Sequence, residues 1–339
     1  MGKHYKSLLA HALSTPVLTT AFILAVTPVG LFLADLPFIA NMMFLALMYA
    51  VAAIAWNLLM GYTGQLSLGH AVFFGVGAYT AIILAVYYDV TPWIGMFVAG
   101  AMAALVGLGL GVPFFRLRSH WFTLATIAAG EIFKLVFNNW SYVGSSAGIQ
   151  MKIVEKRTLY YLQYAGSYVY IYVALLVLAI ELVVLYLVVT SRIGFFLQAI
   201  REDELTAETL GINAFKYKMI AMALSAFFTG MAGALYSIRY HFVEPAAVFD
   251  VITVSTYIAV AGIIGGMYHF AGPFIGAFIF LPAAEYVRAT VVARFPRYYG
   301  LHIFVLGVIL LLVSLFAPEG IMGWLEKKGV IRRRRIVEV

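Results

Sequence analysis

The sequence predicts an all-α polytopic membrane protein with about ten transmembrane helices. Only 11% of its 339 residues are charged, 64% are apolar, and long windows contain no charged residue at all. A water-soluble domain carries about 25% charged residues, because its surface must be solvated. A helix needs about 20 apolar residues to cross about 30 Å of hydrocarbon, and several charge-free windows reach that length.

Composition also excludes several functions. The net charge is +7, but the basic residues lie in short clusters between apolar segments, as topology determinants do, so we expect no nucleic acid partner. The chain has no cysteine, its seven histidines show no metal-ligand spacing, and it has no P-loop sequence. We therefore expect no metal, no cofactor, no catalytic residue and no ATP hydrolysis by this chain.

The charge-free windows place the spans. The first is expected at 17–33, as a retained helix rather than a cleaved signal peptide. Residues 36–88 carry no charge. A helix of that length would measure about 80 Å, so the chain must turn back once, at the glycine-rich residues 61–65. The remaining spans are expected at 38–60, 66–87, 90–115, 121–138, 168–190, 219–238, twice within 251–284, and at 301–317. One span plus a re-entrant segment is the alternative for 251–284.

Ten spans put both termini on one side of the membrane. That side holds twice as many basic residues as the other, so the positive-inside rule predicts that both termini are cytoplasmic. We treat 1–339 as a single transmembrane permease domain, with a cytoplasmic coupling loop at 191–218 and a basic cytoplasmic tail at 324–339. Spans 2–5 and 7–10 would form an inverted repeat, with 61–65 and 265–273 as candidate counterparts.

The segment from Gly61 to Thr80 is rich in glycine, and small residues let membrane helices approach closely. One interpretation is tight helix packing around a turn, with His70 as a hydrogen-bonded packing residue. The other is the lining of a translocation path. The two overlap, because paths form where helices pack. The candidate path residues are Gly64, Gln65, Ser67, Gly69, His70 and, from a later span, Glu131.

Charges inside the predicted spans are few. Glu131 and Lys134 are three residues apart and share a helix face, so they either neutralise each other as an ion pair or line a path. A proton relay is less favoured, because no chain of carboxylates continues from them. Glu181 is expected beside a packed polar neighbour.

The loop at 191–218 alternates charged and apolar residues, which predicts a short amphipathic helix that Gly211 can close. The helix is either solvated at the membrane interface or docked on a cytoplasmic partner. The candidate coupling residues are Arg201, Glu204, Glu208 and Gly211.

Several motifs, in order, resemble the branched-chain amino acid permeases of bacterial ABC importers, of the LivM type. They are GYTGQLSLGHAVFFGVGAYT at 61–80, AGEI at 129–132, NNW at 138–140, and the segments 199–204, 210–213, 232–236 and 262–267. The resemblance covers about residues 45–323. It implies a multi-pass permease subunit of an ATP-driven importer in a bacterial or archaeal inner membrane.

The same resemblance implies the partners: a second homologous permease, two cytoplasmic ATPase subunits that dock on 191–218, and an extracytoplasmic substrate-binding protein. Membrane lipid surrounds the helices. A permease for urea or short amides shares this architecture and is the first alternative. An ion-coupled secondary transporter is the second, and it would need carboxylates in its spans, where Glu131 and Glu181 are the candidates. A membrane enzyme is least supported, for want of a catalytic set.

Overall fold

The computed structural model describes residues 36–117, 120–151, 159–164, 168–267, 269–270, 272–294, 300–316 and 320–328. The span expected at 17–33 and most of the basic tail lie outside the described residues.

The described residues form an almost entirely helical structure. The helices are α1 (Pro37–Thr63), α2 (His70–Tyr87), α3 (Pro92–Phe114), α4 (His120–Asn139), α5 (Tyr168–Thr190), α6 (Arg192–Glu202), α7 (Glu204–Thr209), α8 (Ala214–Tyr240), α9 (Pro245–Val248), α10 (Thr256–Gly265), α11 (Gly272–Arg294), α12 (Leu301–Phe316) and α13 (Gly320–Lys327). A π-helical turn at Val251–Ser255 leads into α10, and 3-10 turns occupy Ser141–Val143 and Ser145–Ala147. Two short strands, β1 (Ile149–Gln150) and β2 (Phe242–Val243), pair antiparallel.

Seven helical segments within the described residues are long and apolar enough to cross a membrane: α1, α2, α3, α5, α8, Pro245–Gly265 and Gly272–Val291. This confirms an all-α polytopic membrane protein. The count of ten is not confirmed, because α12 has only 16 residues, α4 is less apolar, and 17–33 is not described. The window 251–284 forms two separate helices, as the two-span interpretation expects.

Helix ends follow from local sequence. Proline begins α1 and α3, where the missing N–H costs no hydrogen bond. Polar side chains cap the helices of the 191–218 loop: Asp203 accepts from the Thr206 N–H and Asn213 from the Lys216 N–H. Gly64, with φ of 74°, ends α1 in the left-handed conformation that glycine adopts without steric cost.

One end of the bundle carries α6 and α7, and we call it the loop end. Here Arg201 of α6 donates to the carbonyl of Gly61 near the C-terminus of α1. Asn57 donates to the carbonyl of His269, between α10 and α11, and the His269 ring lies 3.4 Å from the Glu326 carboxylate of α13. The segments 61–65, 191–218 and 265–273 were all predicted on the same side of the membrane as the termini. These contacts show that they lie together at the loop end.

The opposite end carries β1 and β2, and we call it the ribbon end. Thr91 donates to the carbonyl of Tyr160 at 2.7 Å, and Trp93 to that of Leu159 at 3.0 Å. In the β ribbon, Ile149 pairs with Val243. The loops predicted on the opposite side of the membrane gather here, so the sorting of the loops agrees with the predicted map. Which end faces the cytoplasm stays a prediction.

Helix packing is consistent with two repeats that are offset by five helices. The 27-residue helices α1 and α8 lie at the centre. α8 packs on α2 and α3, and α1 packs on α10 and α11. α2 and α3 also contact each other, and so do α10 and α11. In this arrangement α1 corresponds to α8, α2 to α10 and α3 to α11. This order makes 241–250 the counterpart of 64–69. The expected pairing of 61–65 with 265–273 does not fit this order, because 265–273 lies between α10 and α11 whereas 61–65 ends α1. The two segments contact each other at the loop end, where Gly61 lies directly against the Met267 carbonyl.

The glycines of 61–80 lie where helices meet. Gly77 faces the backbone of Gly230 on α8, and Gly75 faces the ring of Phe249, each closer than a side chain would allow. Gly233 of α8 faces the Phe74 carbonyl in the same way. The interpretation of this segment as tight helix packing is therefore confirmed.

Candidate functional site

Residues 64–69, between α1 and α2, turn back into the bundle. The indole N–H of Trp56 donates to the Ser67 carbonyl at 2.8 Å. Trp56 precedes the end of α1 at Thr63 by two turns, which corresponds to about 10 Å of helix. Non-helical backbone at such depth is tolerated only where protein or a water-filled cavity surrounds it. We call residues 64–69 the re-entrant segment.

Helix α4 supplies hydrogen-bond partners for backbone groups of the re-entrant segment that have no helical partner. Thr123 donates to the Leu66 carbonyl at 2.8 Å, and the Thr126 hydroxyl accepts from the Leu68 N–H at 3.1 Å. Gly69 lies so close that an added Cβ would be 2.5 Å from the Thr126 carbonyl oxygen. Sequence reasoning missed both threonines, although two hydroxyls one turn apart on an apolar helix are the available signal.

His70 begins α2 and is completely buried. Its Nδ1 lies 3.1 Å from the Ser67 hydroxyl and its Nε2 lies 2.9 Å from the Ser225 hydroxyl of α8. The next N–H, that of Ala71, donates to the Ser255 hydroxyl at 2.8 Å. Both ring nitrogens are engaged, as expected for a packing residue, and no cluster of possible metal ligands occurs among the described residues.

A second break lies between α8 and α10, on the side of the ribbon end. Asp250 caps the π-helical turn by accepting from the Thr253 N–H at 2.9 Å. Lys134 of α4 lies 3.5 Å from the Asp250 carboxylate and 3.9 Å from that of Glu131. The expected contact of Glu131 with Lys134 is thus present, but Asp250 is the nearer partner. Sequence reasoning missed Asp250, since it is distant in the chain.

Glu181 of α5 is fully buried, and neither of its carboxylate oxygens has a hydrogen-bond partner among the residues that the structure describes. The expected packed polar neighbour of Glu181 stays a prediction. Residues one and two turns further along α5 line a small cleft with α1, whose lining comprises Ile54, Asn57, Leu58, Tyr62, Leu185, Val189 and Phe270.

The predicted path residues do not line that cleft. Ser67, Gly69 and His70 are buried in helix contacts, while Gly64 is exposed at the loop end. Gln65 is half-buried beside it. A role of these residues as path lining stays a prediction.

Arg201 connects the coupling loop to the re-entrant segment. Its guanidinium donates to the Gly61 carbonyl at 2.8 Å and pairs with Glu202 at 2.5 Å. The Gly61 carbonyl lies in the last turn of α1, where carbonyls lack helical partners and a positive charge is favoured. The Arg201 stem also packs on Gly64, where an added Cβ would be 3.3 Å from it. Helix α6 is thus fixed directly to the end of α1.

Glu204 forms an ion pair with α8, although its own side chain remains 43% exposed. Its carboxylate lies 2.5 Å from the ammonium of Lys218, whose side chain is only 4% exposed. The same ammonium lies 5.9 Å from the centre of the Phe115 ring. A small apolar cluster of Ile200, Ala207 and Ala214 lies beneath the loop. These contacts join α6, α7 and α8 into one packed unit.

The outer surface of α7 carries exposed apolar side chains. Leu205 is 71% exposed and Leu210 is 77% exposed. Glu208 lies between them in the chain and is also exposed. Gly211 has φ of 86° and open space around it, so it closes the short helix as predicted. We call Leu205, Glu208 and Leu210 the α7 surface, and nothing within the described residues covers it.

Residues 38–314 match the protein family described as the permease component of the branched-chain amino acid transport system. The chain belongs to this family. The permease is 28% identical over 302 residues to the high-affinity branched-chain amino acid transport system permease protein LivM of Escherichia coli, covering 82% of this chain and 68% of that protein.

Two further relatives are more distant. A probable branched-chain amino acid transport permease protein LivH of Methanocaldococcus jannaschii is 26% identical, covering 76% of this permease and 83% of the relative. The guanosine ABC transporter permease protein NupQ of Bacillus subtilis is 26% identical over 34% of each chain. No solved structure shows significant similarity to this permease. Its relatives are transporter permease subunits rather than enzymes.

Proposed function

We propose that this permease carries branched-chain, hydrophobic amino acids as one subunit of an ATP-driven importer. Support for the cargo comes from the Escherichia coli and Methanocaldococcus jannaschii relatives, which are named for branched-chain amino acid transport. The proposed assembly contains a second homologous permease, two cytoplasmic ATPase subunits and an extracytoplasmic substrate-binding protein. Both termini and the loop end would then face the cytoplasm.

The hydrogen bond from Arg201 to Gly61 supports the coupling mechanism most directly. An ATPase that moves α6 and α7 would move the C-terminus of α1 through this bond. The end of α1 leads straight into the re-entrant segment, which Trp56, Thr123 and Thr126 hold in place. Movement of the loop would therefore reach the candidate path residues through a continuous set of packed groups, as alternating access requires.

The α7 surface is the proposed docking site of the ATPase subunits. Its two leucines are far more exposed than the residues beneath them, and apolar side chains at a cytoplasmic surface favour burial against a partner. Of the predicted coupling residues, Glu208 lies on this surface. The other two would link this surface to the bundle: Glu204 pairs with Lys218 of α8, and Arg201 donates to the Gly61 carbonyl of α1.

Docking is tested by replacing Leu205 and Leu210 together with serine. We expect the ATPase subunits to be lost on purification and ATP-driven uptake to fall at least tenfold, because buried leucine side chains contribute about 1.5–3 kcal/mol each. The matched control is Leu159→Ser, a leucine at the ribbon end that is 67% exposed. Charge reversal at Glu208 should weaken docking further. Unchanged co-purification and uptake in these variants would contradict the proposal.

A nucleoside is a second candidate cargo, because one relative is named as a guanosine permease. Urea and short amides remain further alternatives. Ligand assays on the cognate binding protein with leucine, guanosine and urea distinguish the three. An ion-coupled secondary transporter is less favoured, because the Bacillus subtilis relative is named as an ABC transporter permease and Lys134 is paired with Glu131 and Asp250.

A further inference from the structure

Helix α4 presents an unusual outer surface. Leu124, Ala128, Glu131 and Leu135 follow one another at intervals of three and four residues, so they share one face of the helix. Leu124 is 56% and Leu135 60% exposed, and the side chain of Glu131 is 51% exposed. We call these four residues the α4 face.

Glu131 lies well inside α4, the helix that occupies the span predicted at 121–138. It is eight residues from Asn139, which corresponds to about 12 Å along the axis, and further from His120. A glutamate side chain is too short to carry its charge over that distance to the membrane surface. Intramembrane carboxylates are costly against lipid and almost always face protein or water. Lipid alone is therefore the wrong environment for the α4 face.

The neighbouring helix α3 shows what a lipid-facing surface of this chain looks like. Its exposed residues Ile94, Val98, Leu105 and Val112 also share one face, and α3 contains no charged residue at all. The two helices expose apolar side chains to a similar extent. They differ in that only the α4 face carries a carboxylate, so the two faces have different surroundings.

Among the described residues, the charges around Glu131 leave its carboxylate with only a shared cation. Lys134 lies nearer to Asp250, at 3.5 Å, than to Glu131, at 3.9 Å. Two carboxylates thus share one ammonium, and the cluster has a net charge of −1. Glu131, the carboxylate farther from Lys134, is also the more exposed of the two. A second copy of this chain in a symmetric contact would bring two such clusters together, which like charges disfavour.

We infer that the second permease covers the α4 face and presents a cationic or hydrogen-bond-donating side chain to Glu131. This inference rests on the proposed function, since it requires that a second, non-identical permease exists in the assembly. A donor in that position would neutralise the cluster and make the contact specific for a different chain. The α3 face would remain in lipid.

Photo-crosslinking in the assembled transporter tests the inference. A benzophenone amino acid is placed at Leu135 on the α4 face or at Leu105 on the α3 face, which is 61% exposed and serves as the matched control. We expect an adduct between this chain and the second permease from position 135 and none from position 105. The inference is overturned by an adduct from 105 alone, by a dimer of this chain from 135, or by no adduct at 135 in an intact complex.

Substitution of Glu131 provides a second measurement. Glu131→Leu should retain about tenfold less second permease on purification, as expected for the loss of a hydrogen bond to a charged group, and Glu131→Gln should restore part of it. Because the side chain is half-exposed, either variant should fold, which gel filtration of the chain alone verifies. If Glu131→Leu retained as much of the second permease as Glu131→Gln, the inference would be contradicted. If the wild-type chain retains no second permease at all, the proposed function fails instead.

Discussion

Replacing Gly69 with alanine tests the contact between α4 and the re-entrant segment. The added Cβ would lie 2.5 Å from the Thr126 carbonyl oxygen and 2.9 Å from Thr126 Cβ, whereas ordinary contact begins at 3.4 Å. The two backbones must therefore separate by about 0.9 Å. The obstructing oxygen belongs to a helix backbone, which cannot rotate away. Overpacking costs about 1–3 kcal/mol, and we expect a loss near the upper limit.

The assay is the apparent melting temperature of the detergent-solubilised chain, followed by size-exclusion chromatography after heating. A loss of about 3 kcal/mol should lower it by roughly 5 °C or more. Gly109→Ala is the matched control, because Gly109 lies within α3 and nothing is within 4 Å of its added Cβ. That variant should melt at or slightly above the wild-type temperature, since alanine favours helix. Equal melting of the two variants would refute the packing described for Gly69.

Three further predictions concern single side chains. Arg201→Ala removes the donor to Gly61, so we expect ATP hydrolysis by the assembled transporter to continue while uptake falls about tenfold; a parallel fall of both rates would contradict the coupling role. His70→Ala leaves the hydroxyls of Ser67 and Ser225 without their shared partner and should lower the melting temperature by several degrees, whereas unchanged melting would argue against the buried network. Glu181→Leu removes two buried oxygens that have no hydrogen-bond partner in the described part of the chain, so it should raise the melting temperature, with Glu181→Gln close to wild type; a lower value for the leucine variant would show that the carboxyl has a stabilising partner.

Local pattern was sufficient to predict most helices. The span expected at 168–190 coincides with α5, because charge and turn residues bound that window on both sides. The span expected at 66–87 begins four residues later in the structure, since α2 starts at His70. The backbone of Leu66 and Ser67 is held by Thr123 and Trp56 instead of by helical hydrogen bonds. Such distant partners leave no trace in the apolar pattern of the segment.

The sequence indicated which residues belong to the candidate site, but it did not predict the contacts between them. Glycine spacing correctly indicated close helix packing at 61–80, and His70 is a packing residue as expected. The bonds that give the site its shape join residues far apart in the chain, such as Arg201 with Gly61 and Lys134 with Asp250. Sequence spacing predicts which residues share a helix face, but it does not determine which helices become neighbours.

Reconstitution tests the central claim most directly. Proteoliposomes containing this permease, the second permease, the ATPase subunits and the binding protein are loaded with ATP, and uptake of leucine is compared with that of urea. The account predicts leucine uptake that requires both ATP and the binding protein and that the Leu205→Ser, Leu210→Ser variant abolishes. Uptake by this chain alone without ATP, or uptake of urea in preference to leucine, would contradict it.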